Sequence, residues 1–226
     1  MLNKPVLALS NDEMERHNYQ DLVNLLSNGL DSLDIHCNSD IHDKLISFVY
    51  ILKKWNQVYN LTAIRELEKM VTCHLLDSLS VLPYIKGPQI VDVGAGAGLP
   101  GIPIAILLPE DEFTLVDSNA KKTRFMQQVV SELKLINVSV LHSRVEDLPS
   151  NCLYDTVISR AFAAVNDMLR AAGHLCRQDG KILAMKGIEP IEEIKDLATG
   201  FKVEKVIELR VPGLEAQRHL VQLIHR

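Results

Sequence analysis

The sequence predicts an α/β chain: a mostly parallel sheet, finished by one antiparallel strand near the C-terminus, with a helical extension before it. From Gln89 onward short apolar runs alternate with amphipathic stretches, the pattern of parallel strands joined by helices that cover both faces of a sheet. The first strand runs into a glycine-rich turn, Gly94-Ala95-Gly96-Ala97-Gly98, that opens a helix. The last two apolar runs flank a stretch around Pro212-Gly213 that is too short for a crossover helix, so they pair antiparallel. A Rossmann-like sheet satisfies all three observations.

In chain order, residues 1–86 read as a helical region and 87–226 as the sheet domain, with Gly87-Pro88 at the boundary. The first dozen residues are expected to fray. Leu22, Leu25, Leu26 and Leu30 recur at helical spacing. Asp40 is the expected N-cap of a second helix reaching Tyr59, with Leu45, Phe48, Val49, Leu52 and Trp55 as its apolar stripe. A third helix is expected over 67–82, stopped by Pro83. Strands are expected at 89–93, 113–116, 138–141, 156–159, 181–185, 201–209 and 219–224, with helices at about 102–108, 121–133 and 165–176.

At 226 residues and 47% hydrophobic content the chain suits one large domain, or an ordinary domain with an appendage. No apolar run has the length of a transmembrane helix, and Met1-Leu2-Asn3-Lys4-Pro5 opens no secretory signal. Cys37, Cys73, Cys152 and Cys176 stand far apart without a C-x-x-C, as reduced thiols of a cytoplasmic protein. The histidines show no metal-ligand spacing, and no metal is expected. A net charge of −5 argues against a globally basic nucleic-acid binder but leaves room for local patches. Lys121, Lys122 and Arg124 open one helix, and Arg144, Arg160, Arg170 and Lys186 follow central strands; Lys53-Lys54 reads as a solvated face.

Two cofactors compete for the glycine turn. Gly96-Ala97-Gly98-Leu99-Pro100-Gly101 fits the dinucleotide pattern G-x-G-x-x-G. Asp92-x-Gly94-x-Gly96-x-Gly98 fits the first motif of S-adenosylmethionine (SAM) methyltransferases better. SAM is cationic at its sulfonium and ammonium and carries no phosphate, so a carboxylate at Asp92 favours it over a pyrophosphate. A turn that binds nothing is the third reading, though three glycines exceed what packing needs. Ligands in such sheets sit beyond the C-terminal strand ends. There Asp117 offers an acceptor for ribose hydroxyls, whichever the cofactor. Val145-Glu146 offers a surface for adenine and an acceptor for its amine, or is simply an acid at a helix start.

The fourth strand ends Ser159-Arg160-Ala161-Phe162. It has neither the Pro-Pro run of amine methyltransferases nor the cysteine of pyrimidine C5 enzymes. An acceptor that needs neither is N7 of guanine, whose in-plane lone pair carries no proton, so that alignment and proximity suffice. No catalytic residue is assigned. Arg160 reads as a ligand for a phosphate, a base or the cofactor carboxylate, or as an ion-pair partner of Asp155 or Asp92.

Asn60-Leu61-Thr62-Ala63-Ile64-Arg65, His74-Leu75-Leu76-Asp77-Ser78, the run from Asp92 to Gly101, Ser143-Arg144-Val145-Glu146, Ile158-Ser159-Arg160-Ala161-Phe162-Ala163 and Lys186-Gly187 occur in this order. Together they resemble the bacterial ribosomal RNA small subunit methyltransferase G family, also called glucose-inhibited division protein B, from about residue 20 to the C-terminus. The resemblance implies a class I SAM methyltransferase fold, SAM as cofactor, and N7 methylation of a guanine in the decoding region (the 530 loop) of small-subunit ribosomal RNA. It implies cofactor contacts at Gly94, Leu99, Val145, Glu146 and Arg160, to which the motif reading adds Gly96, Gly98 and Asp117. Lys121, Lys122, Arg124 and Lys186 are the candidate RNA contacts, and Asn60 and Arg65 either touch RNA or cap the linker. The partner expected is small-subunit RNA or the assembling small subunit, and the chain is expected to be a monomer. Competing readings are a SAM methyltransferase acting on another RNA or a small molecule, an NAD oxidoreductase, for which no substrate domain remains, and a non-catalytic RNA-binding module, which would not need the glycine turn.

Overall fold

A computed structural model describes residues 11–226 apart from Cys152, Ala161, Ala163, Ala198 and Thr199, with side chains from Tyr19 onward. The first ten residues lie outside the described residues. Helix α1 (Asn11–Ser32) buries Leu22, Leu26 and Leu30, and α2 (Ser39–Tyr59) buries Leu45, Phe48, Val49 and Leu52. Both stripes follow the helical repeat, so each helix presents one apolar face. The cap of α2 is Asn38, not Asp40: Asn38 Oδ1 accepts the Ile41 N–H at 2.9 Å. Asp40 lies inside the first turn, where its charge suits the helix dipole and it pairs with Lys44 at 2.7 Å.

The expected third helix is not uniform. Leu67–Met70 (α3) passes into a π-helical stretch, Val71–Leu76, and then into Asp77–Leu79 (α4). Pro83 follows within a 3-10 turn, Leu82–Tyr84. A π-turn widens the helix by a residue and shifts its phase, a device frequent at functional sites. Here Met70, Leu75, Leu76 and Leu79 remain fully buried while Cys73, His74 and Asp77 reach a cleft.

The sheet has seven strands: β1 (Gln89–Val93), β2 (Glu112–Asp117), β3 (Val138–His142), β4 (Tyr154–Ser159), β5 (Cys176–Lys186), β6 (Phe201–Glu208) and β7 (His219–His225), in the order β3-β2-β1-β4-β5-β7-β6. The first five pair in parallel. Strand β7 inserts between β5 and β6 and runs antiparallel to both, so it alone is reversed. Crossover helices are α5 (Gly101–Leu107), α6 (Ala120–Glu132) and α7 (Val165–Ala172). Helix α7 stops short of the expected 176: a 3-10 turn, Gly173–Leu175, leads into β5, which already begins at Cys176, and Gly173 packs under the Phe201 ring, where a Cβ would come within 2.9 Å of Cε2.

Both sheet faces are covered, which is why the central strands are apolar almost throughout. On one face Ile90, Phe113, Leu115, Ile158 and Leu183 join a single core with α1, α2, α5 and α6. On the other, Val91, Val93, Val116, Val157 and Ile182 pack with Met168 and Leu169 of α7. The N-terminal helices are therefore continuous with the sheet's core: Phe125 of α6 is fully buried with its ring 6.5 Å from Phe48 and 5.7 Å from Trp55, both on α2. Strand order reverses between β1 and β4, which opens a crevice at their C-terminal ends.

Phe125→Ala removes the ring that joins α2 to α6 and is expected to cost about 3–5 kcal/mol. Urea unfolding followed by Trp55 fluorescence and by far-ultraviolet circular dichroism should give one shared transition, since one core spans both regions. Two separated transitions would show that the helices and sheet fold independently.

Candidate active site

Beyond β1 the chain turns through Gly94, Gly96 and Gly98, all at positive φ (69°, 61° and 73°). The turn is pinned from below. Gly94 and Ala95 donate their N–H groups to Val116 O at 2.9 and 3.0 Å, and Gly96 N–H donates to Asp117 Oδ2 at 2.9 Å. The other Asp117 oxygen accepts the Asn119 N–H at 2.8 Å, beside the N-cap of α6. At Gly98 a side chain would be strained by the positive φ and would have to displace Ile102, whose Cδ1 would lie 2.3 Å from its Cβ. At Gly96 a Cβ would point into open space, with Gly94 O at 3.8 Å and Lys122 Nζ at 4.0 Å. That space is the cradle a ligand would fill.

Asp92 does not border it. The side chain is fully buried beneath the turn, and Oδ2 accepts the Gly101 N–H at 2.8 Å while Oδ1 has no partner among the described residues. Burial pushes its pKa up to about 7, against the lowering effects of the Gly101 bond and Arg160. The expectation that Asp92 meets a cationic ligand at short range is corrected accordingly: it anchors the start of α5.

Three clefts adjoin along the strand ends. The first, about 310 Å³, is bordered by Gly94, Asp117, Lys122, Val145, Glu146 and Phe162. The second, about 210 Å³, shares Gly94 and Lys122 and adds Thr62, Gly96, Leu99 and Arg160. The third, about 380 Å³, shares His74 and Arg160 with the second and adds Cys73, Asp77, Lys186 and Arg218. Of the expected cofactor residues, Gly94, Gly96, Leu99, Asp117, Val145, Glu146 and Arg160 come together along the first two clefts; Gly98 shapes the turn from behind.

Arg160 pairs with neither Asp155 nor Asp92. Its Nη1 donates to Asp77 Oδ2 at 3.0 Å and to Cys73 O at 3.3 Å, while Asp155 takes Arg177 at 2.5 Å. The second Asp77 oxygen accepts Arg218 Nε at 2.9 Å. Next to this cluster His74 Nδ1 donates to Cys73 O at 3.0 Å, which leaves Nε2 to accept from the Thr62 hydroxyl at 2.9 Å. Burial, with Arg160 nearby, lowers the His74 pKa to about 4, so the ring is neutral.

The RNA candidates scatter. Lys121 and Arg124 are exposed on α6. Lys122 turns inward, 3.9 Å from Asp117 Oδ2. Lys186 is mostly buried and pairs with Glu193 at 2.8 Å. Asn60 and Arg65 bond each other at 3.1 Å at the end of α2. Asp77 and Arg218 have no assigned role in the sequence reading; the only signal was the His74–Ser78 motif, while Arg218, 141 residues from Asp77 in sequence, gave none.

The sheet order, the glycine turn and the crevice at the strand reversal define a class I methyltransferase fold. Solved structures agree: TrmN from Thermus thermophilus (17% identical, TM-score 0.54, over 66% of this chain and 47% of that one), P. horikoshii TYW2 in complex with MeSAdo (15%, 0.51, 66% and 61%), and the mitomycin 7-O-methyltransferase MmcR (14%, 0.56, 79% and 60%). Within that class, the family model for rRNA small subunit methyltransferase G matches residues 41–221. Proteins named ribosomal RNA small subunit methyltransferase G are 48% identical in Nitrosococcus oceani (88% of this chain, 94% of that protein) and 46% identical in an Enterobacter strain (88% and 97%). The chain belongs to the rRNA small subunit methyltransferase G family. No described helix is long and apolar enough to cross a membrane, and the described residues form no metal-binding cluster.

His74 gives a pH signature. Its pKa is near 6.5 unfolded and about 4 folded, so between those values the unfolded chain binds a proton that the folded chain refuses. Stability should fall as pH drops through that window, by up to about 3 kcal/mol from this group. His74→Gln should flatten the difference, read as urea midpoints at pH 7 and pH 4.5; parallel loss in both proteins would remove His74 from the account.

Proposed function

We propose that this chain transfers a methyl group from SAM to N7 of a guanine in the decoding region (the 530 loop) of small-subunit ribosomal RNA. One observation carries the reading: at Arg160 a cradle suited to the cofactor opens into a cationic cleft that offers neither an activated thiol nor a titrating imidazole. Burial holds the Cys73 thiol above its usual range, and His74 is neutral with both ring nitrogens engaged. An acceptor that needs no base and no covalent partner suits such a place. Family membership supplies the substrate class.

SAM brings an electrophilic methyl group on a sulfonium. The residues present fit it. Asp117 keeps lone pairs for the ribose hydroxyls beyond its two backbone bonds. Val145 offers an apolar surface to adenine, and Glu146 an acceptor for its amine. Gly94, Gly96 and Leu99 border the methionine end, where Lys122 suits the carboxylate better than a role in RNA binding. Arg160 stands between cofactor and acceptor, so its task is alignment. Lys121 and Arg124 track RNA phosphates from the exposed face of α6, and Lys186, held by Glu193, lines the acceptor cleft. The partner is small-subunit RNA, free or in the assembling subunit, met by a cytoplasmic monomer that uses no metal.

Asp117→Ala should weaken SAM binding by about 1–3 kcal/mol, because buried hydroxyls lose a charged acceptor. Calorimetry with SAM, S-adenosylhomocysteine and NAD checks this; NAD binding without SAM binding would sink the cofactor assignment. Lys121→Ala with Arg124→Ala should weaken RNA binding and flatten its salt dependence by about one to two phosphate contacts, sparing SAM. A wild-type salt slope would place the RNA path elsewhere. The decisive test is the product: reduction and strand cleavage at 7-methylguanine, mapped on RNA methylated in vitro. Arg160→Ala should lower turnover without moving the pH optimum. Methyl on a base amine or a pyrimidine carbon, or a cysteine trapped on RNA, would overturn the assignment.

A further inference from the structure

The third cleft contains a charge arrangement that packing does not require. Asp77 is about 1% exposed and sits between two guanidinium groups that come from the ends of two different strands. Arg160 follows β4, and Arg218 immediately precedes β7. Each takes one carboxylate oxygen, at 3.0 and 2.9 Å. Arg160 has a second anchor on Cys73 O and Arg218 one on Gln217 O at 2.9 Å. Both arginines nevertheless stay about a quarter exposed, 28% and 26%, and both border the cleft. These bonds employ Nη1 of Arg160 and Nε and Nη1 of Arg218; none of them engages either Nη2 group. One end of each guanidinium is thus fixed, and both residues border the cleft.

We propose that Asp77 is the positioning residue of this site: through Arg160 and Arg218 it fixes the pose of the nucleotide that accepts the methyl group. This rests on the reaction proposed above. A planar guanidinium held at one edge offers its remaining donors along fixed directions, as recognition of a phosphate or a base edge requires. Two of them locked to one carboxylate keep a fixed mutual angle, which neither arginine alone would have. The carboxylate is delivered by α4 directly after the π-turn, so the shift in helical phase is what aims it at the strand ends. Arg160 borders both the second and the third cleft, which couples the pose of the acceptor to the cofactor cradle.

A purely electrostatic role would have the opposite signature. Asp77→Asn keeps the shape and removes a negative charge, so the cluster's excess of one positive charge becomes two. RNA affinity should then hold or rise, with a steeper salt dependence. Positioning demands that kcat fall even so, by about 10- to 100-fold, since misplacement of reacting atoms by an ångström has that effect. The experiment uses the full-length protein with unmethylated small ribosomal subunits and their naked RNA as substrates, measuring kcat, KM and RNA affinity, with the Arg218 Nε–H resonance as the structural readout. The expected result is lower kcat, equal or tighter RNA binding, unchanged pH profile, and loss of the protected Nε–H signal. A kcat within about twofold of wild type would overturn the proposal. If Asp77→Asn does not fold, Arg218→Lys replaces it: the cation stays but the fork is lost, and kcat should fall at retained RNA affinity; wild-type kcat there overturns it equally. Wild-type protein that makes no 7-methylguanine on either substrate brings down the reaction and this proposal together, whereas an active wild type with an equally active Asp77→Asn brings down this one alone.

Discussion

The carboxylate of Asp117 accepts the Gly96 N–H through one oxygen and the Asn119 N–H through the other. Those two bonds join the turn after β1 to the turn after β2 and set the floor of the first two clefts. They are also what makes a nearly buried carboxylate tolerable: removing it from water costs several kcal/mol unless its lone pairs are met. The amide end of α6 and the Lys122 ammonium add favourable field. Asp92, one strand over, shows the opposite case. It has a single backbone bond, an oxygen without a partner among the described residues, and a pKa pushed up to about 7. The same residue type thus shapes the clefts from two adjacent strand ends, one at the border of the first cleft and one underneath the turn.

The N-terminal helices are part of this construction. Asn56, buried near the end of α2, accepts the Thr62 N–H at 2.9 Å and donates to Ile64 O at 3.0 Å, which clamps the loop leaving the helix. Thr62 in turn holds His74, His74 shares the Cys73 carbonyl with Arg160, and Arg160 meets Asp77. Every link is a hydrogen bond with a fixed donor. The wall of the second cleft is therefore tied, through one neutral imidazole, to helices whose main contribution is apolar packing. Protonating that imidazole would add a charge beside Arg160, and burial prevents it.

The fold was legible because its signals are local and repeated: apolar runs at strand length, glycines at turns, a Pro-Gly stretch too short for a helix. That Gly94, Gly96, Asp117, Val145 and Glu146 line the clefts was legible for a related reason, since each stands at a strand end or in the turn that follows, while Leu99 entered through the resemblance alone. What escaped depends on distance or competition. Asp40 and Asn38 are both good caps, and only the backbone around Asn38 decides between them. The π-turn leaves no mark in a sequence whose apolar spacing reads as an ordinary helix. Lys122 and Lys121 are neighbours of one type, yet one turns into the cleft and the other into solvent. Arg160 was visible as a cation at a strand end, but its partner lies 83 residues away and its partner's other arginine 141 from that, distances at which pattern says nothing.

With the function proposed above, the site holds a cationic cofactor beside an anionic polymer; those demands are opposed, and the buried carboxylates resolve them locally. An unpaired guanidinium at Arg160 would repel a positive centre about 4 Å away by about 4 kcal/mol at the effective dielectric of a protein surface. Asp77, 3.0 Å from that guanidinium, offsets part of its charge, while Arg160 and Arg218 both still border the third cleft. In the reaction proposed above, methyl transfer to a neutral ring nitrogen would move one positive charge from the cofactor towards the third cleft. The net charge there, one positive in excess for the triad, is then a compromise: enough to attract a phosphate backbone, and less than two unscreened arginines would set against the arriving charge. The overall charge of −5 is irrelevant to that balance, since within a Debye length of the cleft the nearest few groups dominate the field.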